Sequence, residues 1–360
     1  MKKIYYLIST IFLMVVLFTL GVDPVSANEF KFSVTPIPSS KQIDSKVTYF
    51  DLSLKPKEQE TLQVELANAT DKEVVVDVSL NPARTNGSGV VEYRENKLKN
   101  TQNIPFDIKQ YVEFPRQVKL AKHSKQKISF KVIMPDKGFN GILASGIQFR
   151  EHGQEEKNKS NKNAIAINNT FSYVLALLIQ QGSKTVTPQI VSDKASMETQ
   201  QGRSDVILSL ENKSSTYLNK MAIDADVYHE GKEKPVTGLI KKDMQFAPNS
   251  IMDYRISMGS NLVKPGKYTV KGTLYGEKST LGTYEYNGQK YKYKFDINES
   301  FLVDGQKAKE LNKDNVLIEK KEDNKVWIYF IIGLILLLLM AIGFIIYILR
   351  REKSNREEKK

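Results

Sequence analysis

Cysteine is absent from all 360 residues, so no disulfide can brace any part of this chain and its domains must hold by core packing. Histidine occurs three times, at His123, His152 and His229, in loops or at strand ends with no motif around them. Without thiolates or grouped imidazoles the chain supplies no zinc site. G-x-S-x-G, H-E-x-x-H and phosphate-cradling glycine loops are also missing. No catalytic residue, metal ligand or cofactor is therefore assigned, and a wall-degrading enzyme is a reading for which no residues can be named. The chain reads as a non-enzyme. Tryptophan occurs once, as Trp327.

What is present includes two long apolar runs. Val326 to Leu349 carries no charge, and at ~1.5 Å per residue such a helix spans the ~30 Å hydrocarbon layer. Trp327, Tyr329 and Tyr347 stand where amphipathic rings favour the headgroup layer, and Arg350 and Arg351 open a basic tail, 350–360, that belongs in the cytoplasm. At the other end Lys2 and Lys3, the apolar Ile4 to Leu20 and the small-x-small triplet Val25-Ser26-Ala27 have the three parts of a secretory signal, with cleavage expected between Ala27 and Asn28. An uncleaved signal would leave two spans. The expectation is a single-pass protein of the cell membrane, its body outside within the wall and its C-terminus inside. A disulfide-free exported chain fits a Gram-positive surface. The formal charge of +12 suits anionic wall polymers such as teichoic acids, or simply a solubilising surface, and nucleic acid is a poor partner for an exported chain.

Between the two runs the pattern is β. Leu62, Val64 and Leu66 alternate with polar neighbours, and Val74, Val76, Val78 and Leu80 follow in phase after a turn at Asn68 to Lys72. Asn86-Gly87-Ser88-Gly89 marks another turn. Ile165 to Ile179 alternates as one long strand that needs a sheet, and the neighbouring Ile142 to Phe149 is its natural hairpin partner across a variable polar loop from His152 to Asn163. The first domain is therefore drawn as 28–181, with a boundary at Gly182-Ser183-Lys184.

The second domain, 185–303, repeats the first. Val206, Leu208 and Leu210 leading to Asn212 match Leu62, Val64 and Leu66 leading to Asn68. Phe246-Ala247-Pro248-Asn249-Ser250 likewise matches Leu120-Ala121-Lys122-His123-Ser124. Pro265-Gly266-Lys267-Tyr268 has the form of a tyrosine corner, so the expected fold is all-β: two tandem immunoglobulin-like β-sandwiches followed by one C-terminal transmembrane helix. Asn287-Gly288 predicts a two-residue hairpin that sets Tyr284 opposite Tyr291, with Tyr286 and Tyr293 on the same face. That aromatic face could stack on sugar rings or belong to the core. Asp224 and Asp226 share a strand face, read as solvated. Asp304 to Lys325 is polar and aperiodic, and is expected to be a flexible linker reaching no more than ~70 Å when pulled straight.

These stretches together resemble the WxL-interacting protein family of Gram-positive bacteria over essentially the whole chain. The similar segments are Tyr49-Phe50-Asp51-Leu52, Pro56 to Asn68, Asn81 to Tyr93 and Gly141 to Ile147 in the first domain. In the second they are Asn169 to Leu177, Val227-Tyr228, Met244 to Ser250 and Pro265 to Tyr268, and Met-Gln-Phe-Ala-Pro-Asn-Ser is the most specific. The chain departs from the family at Ser145, where glycine is usual, and in the ribbon from Tyr284 to Tyr293. Family boundaries also fall earlier, near His152. The resemblance implies a membrane-anchored surface scaffold whose first domain binds peptidoglycan, whose partners are WxL-domain proteins and whose second domain contacts host extracellular-matrix proteins. Phe50, Asp51, Asn86 and Tyr93 are the candidates for wall or partner binding. The alternative is a membrane-tethered chaperone for exported proteins, acting by strand addition.

Overall fold

The computed structural model describes residues 30–98, 101–153, 171–318 and 325–357, with side chains in the last segment over 331–347. The expected signal and its cleavage site at Ala27 and Asn28 lie outside these residues.

The first sandwich contains β1 (Phe32–Ile37), β2 (Phe50–Ser53), β3 (Gln59–Asn68), β4 (Val74–Pro82), β5 (Arg84–Thr85), β6 (Val91–Glu92), β7 (Val112–Glu113), β8 (Gln117–Leu120), β9 (Ser124–Ile133), β10 (Gly141–Glu151) and β11 (Ser172–Gln181). One sheet has the order β1-β3-β9-β7 and the facing sheet β2-β11-β10-β4-β8. Period-2 alternation turns Leu62, Val64 and Leu66 inward from one sheet and Val76, Leu80, Ile147 and Phe149 from the other. β10 and β11 pair antiparallel from Gly141↔Gln181 to Arg150↔Ser172. β2 then lies parallel to β11. Ser145 uses its departure from glycine: its hydroxyl donates to the Leu177 carbonyl at 2.8 Å in the closed interior.

The second sandwich contains β12 (Ile190–Gln200), β13 (Arg203–Asn212), β14 (Leu218–His229), β15 (Thr237–Phe246), β16 (Ile251–Ser257), β17 (Gly266–Lys278), β18 (Tyr284–Tyr286) and β19 (Gln289–Val303). Its sheets are β12-β13-β16 and β15-β14-β17-β19-β18.

The internal repeat extends to single hydrogen bonds. Asn68 is buried, and its Nδ2 donates to the Lys72 and Ala121 carbonyls while its Oδ1 accepts from Thr70. Asn212 does the same with Thr216, Ala247 and Ser214. His123 and Asn249 both take positive φ, 50° and 49°, and the serine that follows each donates back to the alanine carbonyl. At Tyr268 the hydroxyl donates to the Lys264 carbonyl at 2.9 Å, which is the tie of a tyrosine corner.

One expectation needs correction. The stretch from Asp304 is not a flexible linker throughout: α1 (Gly305–Asp314) forms there, capped by the Asp304 carboxylate, which accepts from the Lys307 amide at 2.8 Å. Ala308 and Leu311 enter the second core, Asn312 bonds both backbone groups of Val263, and the Asn315 side chain donates to the Gly259 carbonyl. Only two apolar positions, three apart, carry that helix, which is too little periodicity to stand out in a polar stretch. Asp224 and Asp226 stay half-exposed on their strand face and line an open cavity, where Asp224 accepts from the Tyr286 hydroxyl at 2.8 Å.

A second helix among the described residues, α2 (Lys325–Glu357), is the last described element. Among the described residues no helix is long and apolar enough to cross a membrane. The described side chains of α2, 331–347, are apolar and exposed throughout, and they stop short of both ends of the run from Val326 to Leu349.

Candidate functional site

Between β4 and β8 the chain leaves its sheet, and β5 and β6 pair as a small hairpin, Arg84↔Glu92 and Thr85↔Val91. The hairpin turns on Asn86, whose Oδ1 accepts from the Ser88 and Val90 amides while its Nδ2 donates to Glu92 at 2.7 Å. It settles on the outer face of the β10–β11 pair, where Ala144, Ala176 and Leu178 make a second apolar cluster with Val91 and Tyr93. Gly146 permits that approach, because a Cβ there would sit 2.3 Å from the Tyr93 carbonyl oxygen.

The hairpin also joins the two sandwiches. Gln245 donates to the Gly89 carbonyl at 2.8 Å, and Ala247 donates to Thr85 Oγ1, also at 2.8 Å. Thr85 Oγ1 lies 3.1 Å from Ser250 Oγ. The Tyr93 and Tyr217 hydroxyls meet at 2.9 Å, and Ile142 donates to the Ser215 carbonyl at 2.7 Å. Burial raises Tyr93, against the bond from Tyr217, and burial with Tyr93 beside it lifts Tyr217 well above the usual phenol range, so both stay protonated. Met244 to Ser250 therefore forms half of the seam. In the first sandwich the equivalent corner, from Ala121 to His123, is exposed and carries Lys122 and His123 instead of Pro248 and Asn249.

Beside the hairpin lies an open trough of about 590 Å³, walled by Tyr49, Val91, Tyr93, Val174 and Ala176 and edged by Asn86. Val90 at its rim is 56% exposed. The trough offers ring faces, small aliphatic surface and amide and carboxylate groups at the edge, which is equipment for binding. Among the described residues no group of three or more His, Asp or Glu is placed to hold a metal ion.

The structure separates the four residues suggested for wall binding. Asn86 and Tyr93 border the trough. Phe50 does not, being 1% exposed in the first core, and a closed side chain cannot meet a ligand. Asp51 lies at the sheet surface and accepts from Gln180 at 2.7 Å. Tyr49 joins the site on a signal that alternation carries: with Phe50 and Leu52 inward, Tyr49 must face out. Tyr217 had no such signal, because it meets Tyr93 only through tertiary packing.

The aromatic ribbon forms in the expected register, Tyr284↔Tyr291 and Glu285↔Lys290, with Asn287 and Gly288 both at positive φ. It is mostly closed to ligands. Tyr291 is 3% exposed, Tyr293 packs on the core, and Tyr286 stacks on Tyr275 with centroids 4.7 Å apart. Tyr284 alone of the four is substantially open, at 42%.

Residues 32–151 match the family model described as WxL Interacting Protein, peptidoglycan binding domain, and residues 162–313 match WxL Interacting Protein, host binding domain. The second match begins upstream of β11, a strand that pairs within the first sandwich. No curated protein matches the chain. Among solved structures it is similar to the class 5 fimbriae chaperone CfaA, with 11% identity and a TM-score of 0.28, covering 74% of this chain and 98% of that one. It is also similar to the E. coli chaperone DraB, with 13% identity, a TM-score of 0.25 and coverage of 69% and 94%. For the PapD-like domain of human CEP192 the figures are 17%, 0.26, and 46% and 99%. Scores of this size carry no argument about function.

Proposed function

The chain belongs to the WxL-interacting protein family, whose two matched domains are binding domains with a role at the cell surface, and from this premise we propose that it is a membrane-anchored scaffold holding peptidoglycan in the trough beside Tyr49 and Tyr93. The observation that carries this reading is the trough itself, an aromatic and aliphatic channel whose lining from Thr48 to Arg94 falls in the peptidoglycan-binding match and whose Val174 and Ala176, on β11, fall in the other. Sugar rings present apolar C–H faces that stack on tyrosine, and their hydroxyls and acetamides need the edge donors and acceptors that Asn86 and Glu92 provide. WxL-domain proteins are its partners in the assembly, and the second sandwich is the part that meets host proteins. The run from Val326 to Leu349 is the anchor, with the basic tail inside.

The test uses the full-length protein in detergent, sedimented with purified peptidoglycan and then challenged with the secreted proteins of the source organism. Retention on the wall, release by soluble muropeptides and capture of a WxL protein are expected. A protein left wholly in the supernatant, with no WxL protein bound, would refute the reading. Anchoring is checked separately on intact cells stripped of wall: added protease should remove the body and spare a C-terminal fragment.

A further inference from the structure

The trough continues past Glu92 and Arg94. These two residues also border a second cavity of about 400 Å³ on the same side of the sheet, lined further by Glu95, Lys97, Gln148 and Arg150. The two cavities differ in chemistry. The first is walled by tyrosines and small aliphatic residues, whereas the second gathers cations from Arg94, Lys97 and Arg150 beside the carboxylates of Glu92 and Glu95. Local bonds hold the second cavity's wall in place. The Glu95 amide donates to Gln148 at 3.0 Å, Asn96 donates to the Arg94 carbonyl at 3.0 Å and accepts from the Leu98 amide at 3.1 Å, and Asn86 fixes Glu92. The Arg94 side chain is 64% exposed and stands 3.8 Å from Glu92, too far for a hydrogen bond.

Resting on the wall-binding reading above, we propose that this second cavity is a subsite for the peptide stem, so that the paired cavities recognise a disaccharide with its peptide attached. A stem leaves its sugar through a side branch of the ring. A ligand with its rings against Tyr49 and Tyr93 therefore sends the stem across the shared rim at Glu92 and Arg94. The stem carries carboxylates and, at its diamino residue, an amine, and a pocket with fixed charges of both signs complements such a chain through charge-assisted hydrogen bonds. Both cavities fall in the size range of small-ligand sites.

The experiment titrates the full-length protein in detergent with a purified disaccharide-peptide and with the same disaccharide freed of its peptide. The wild type should bind the stem-bearing ligand about tenfold more tightly. A double variant, Glu95→Gln with Lys97→Gln, whose side chains border only the second cavity, should lose that preference while keeping its affinity for the bare disaccharide. Both side chains are exposed, so the fold is not at stake. Equal wild-type affinities for the two ligands would overturn the subsite and leave the wall-binding reading standing. A preference that survives in the double variant would also overturn it, by placing stem recognition elsewhere. No binding of either ligand or of intact wall would overturn both.

Discussion

Asn212 is fully buried and makes four bonds, to Thr216, Ala247 and, through its Oδ1, the amide and hydroxyl of Ser214. Truncation leaves those buried groups unpaired, so Asn212→Ala should cost about 3 kcal/mol in denaturant unfolding. Asn68→Ala should cost less, because the Ala121 corner it serves is exposed to water and the Ala247 corner is not. Equal losses would show that the seam adds nothing to the second corner. Asp226 supplies a prediction of pH dependence. Burial, with the Asp224 carboxylate adding to it, raises Asp226 above its ordinary value. An acid raised in the folded state contributes stability that is full below its unfolded pKa and is lost as pH rises through the folded one. Asp226→Asn should therefore melt about 1–2 °C above wild type at pH 7, with the gain fading below pH ~4. A lower melting temperature at pH 7 would contradict this.

Among the elements, those with clean alternation were legible in the sequence. β3, β4 and β9 bury every second residue, the Asn287-Gly288 turn has its expected geometry, and the tyrosine corner at Tyr268 closes on Lys264. α1 was not legible, because Leu311 and Ala308 acquire meaning only from the core they enter. Leu311→Ala should cost about 2–4 kcal/mol, whereas a mere linker residue would cost almost nothing. The β5–β6 hairpin was legible as a turn but not as a clasp, since its partners at Gln245, Ala247 and Ser250 are far along the chain. The Met244 to Ser250 stretch stood out as family-specific without disclosing that it packs on Gly89 and Thr85. Thr85→Val removes the acceptor for the Ala247 amide and the partner of Ser250. Amide exchange should accelerate at both 83–93 and 244–250 in this variant. Acceleration confined to the hairpin would mean that the seam does not hold the second sandwich.

For the whole molecule, the seam and α1 change the geometry read from sequence. The sandwiches meet through hydrogen bonds and an apolar cluster, which hold one in register with the other. Because α1 binds back onto the second core, the described part of the body runs to Ile318, and the chain from there to Lys325 can span ~25 Å at most. With α2 as the anchor, the body would stand close to the membrane and meet the inner face of the wall. The central claim is that the trough beside Tyr49 binds peptidoglycan, and the most direct test compares full-length wild type with Tyr49→Ala in sedimentation with purified wall. Tyr49 lines the trough and makes no seam hydrogen bond among those described. The account predicts that the variant, which loses a half-buried ring beside the seam's apolar cluster, still unfolds cooperatively above the assay temperature and loses wall affinity by about tenfold, the worth of one stacked ring. Undiminished retention of Tyr49→Ala would contradict it.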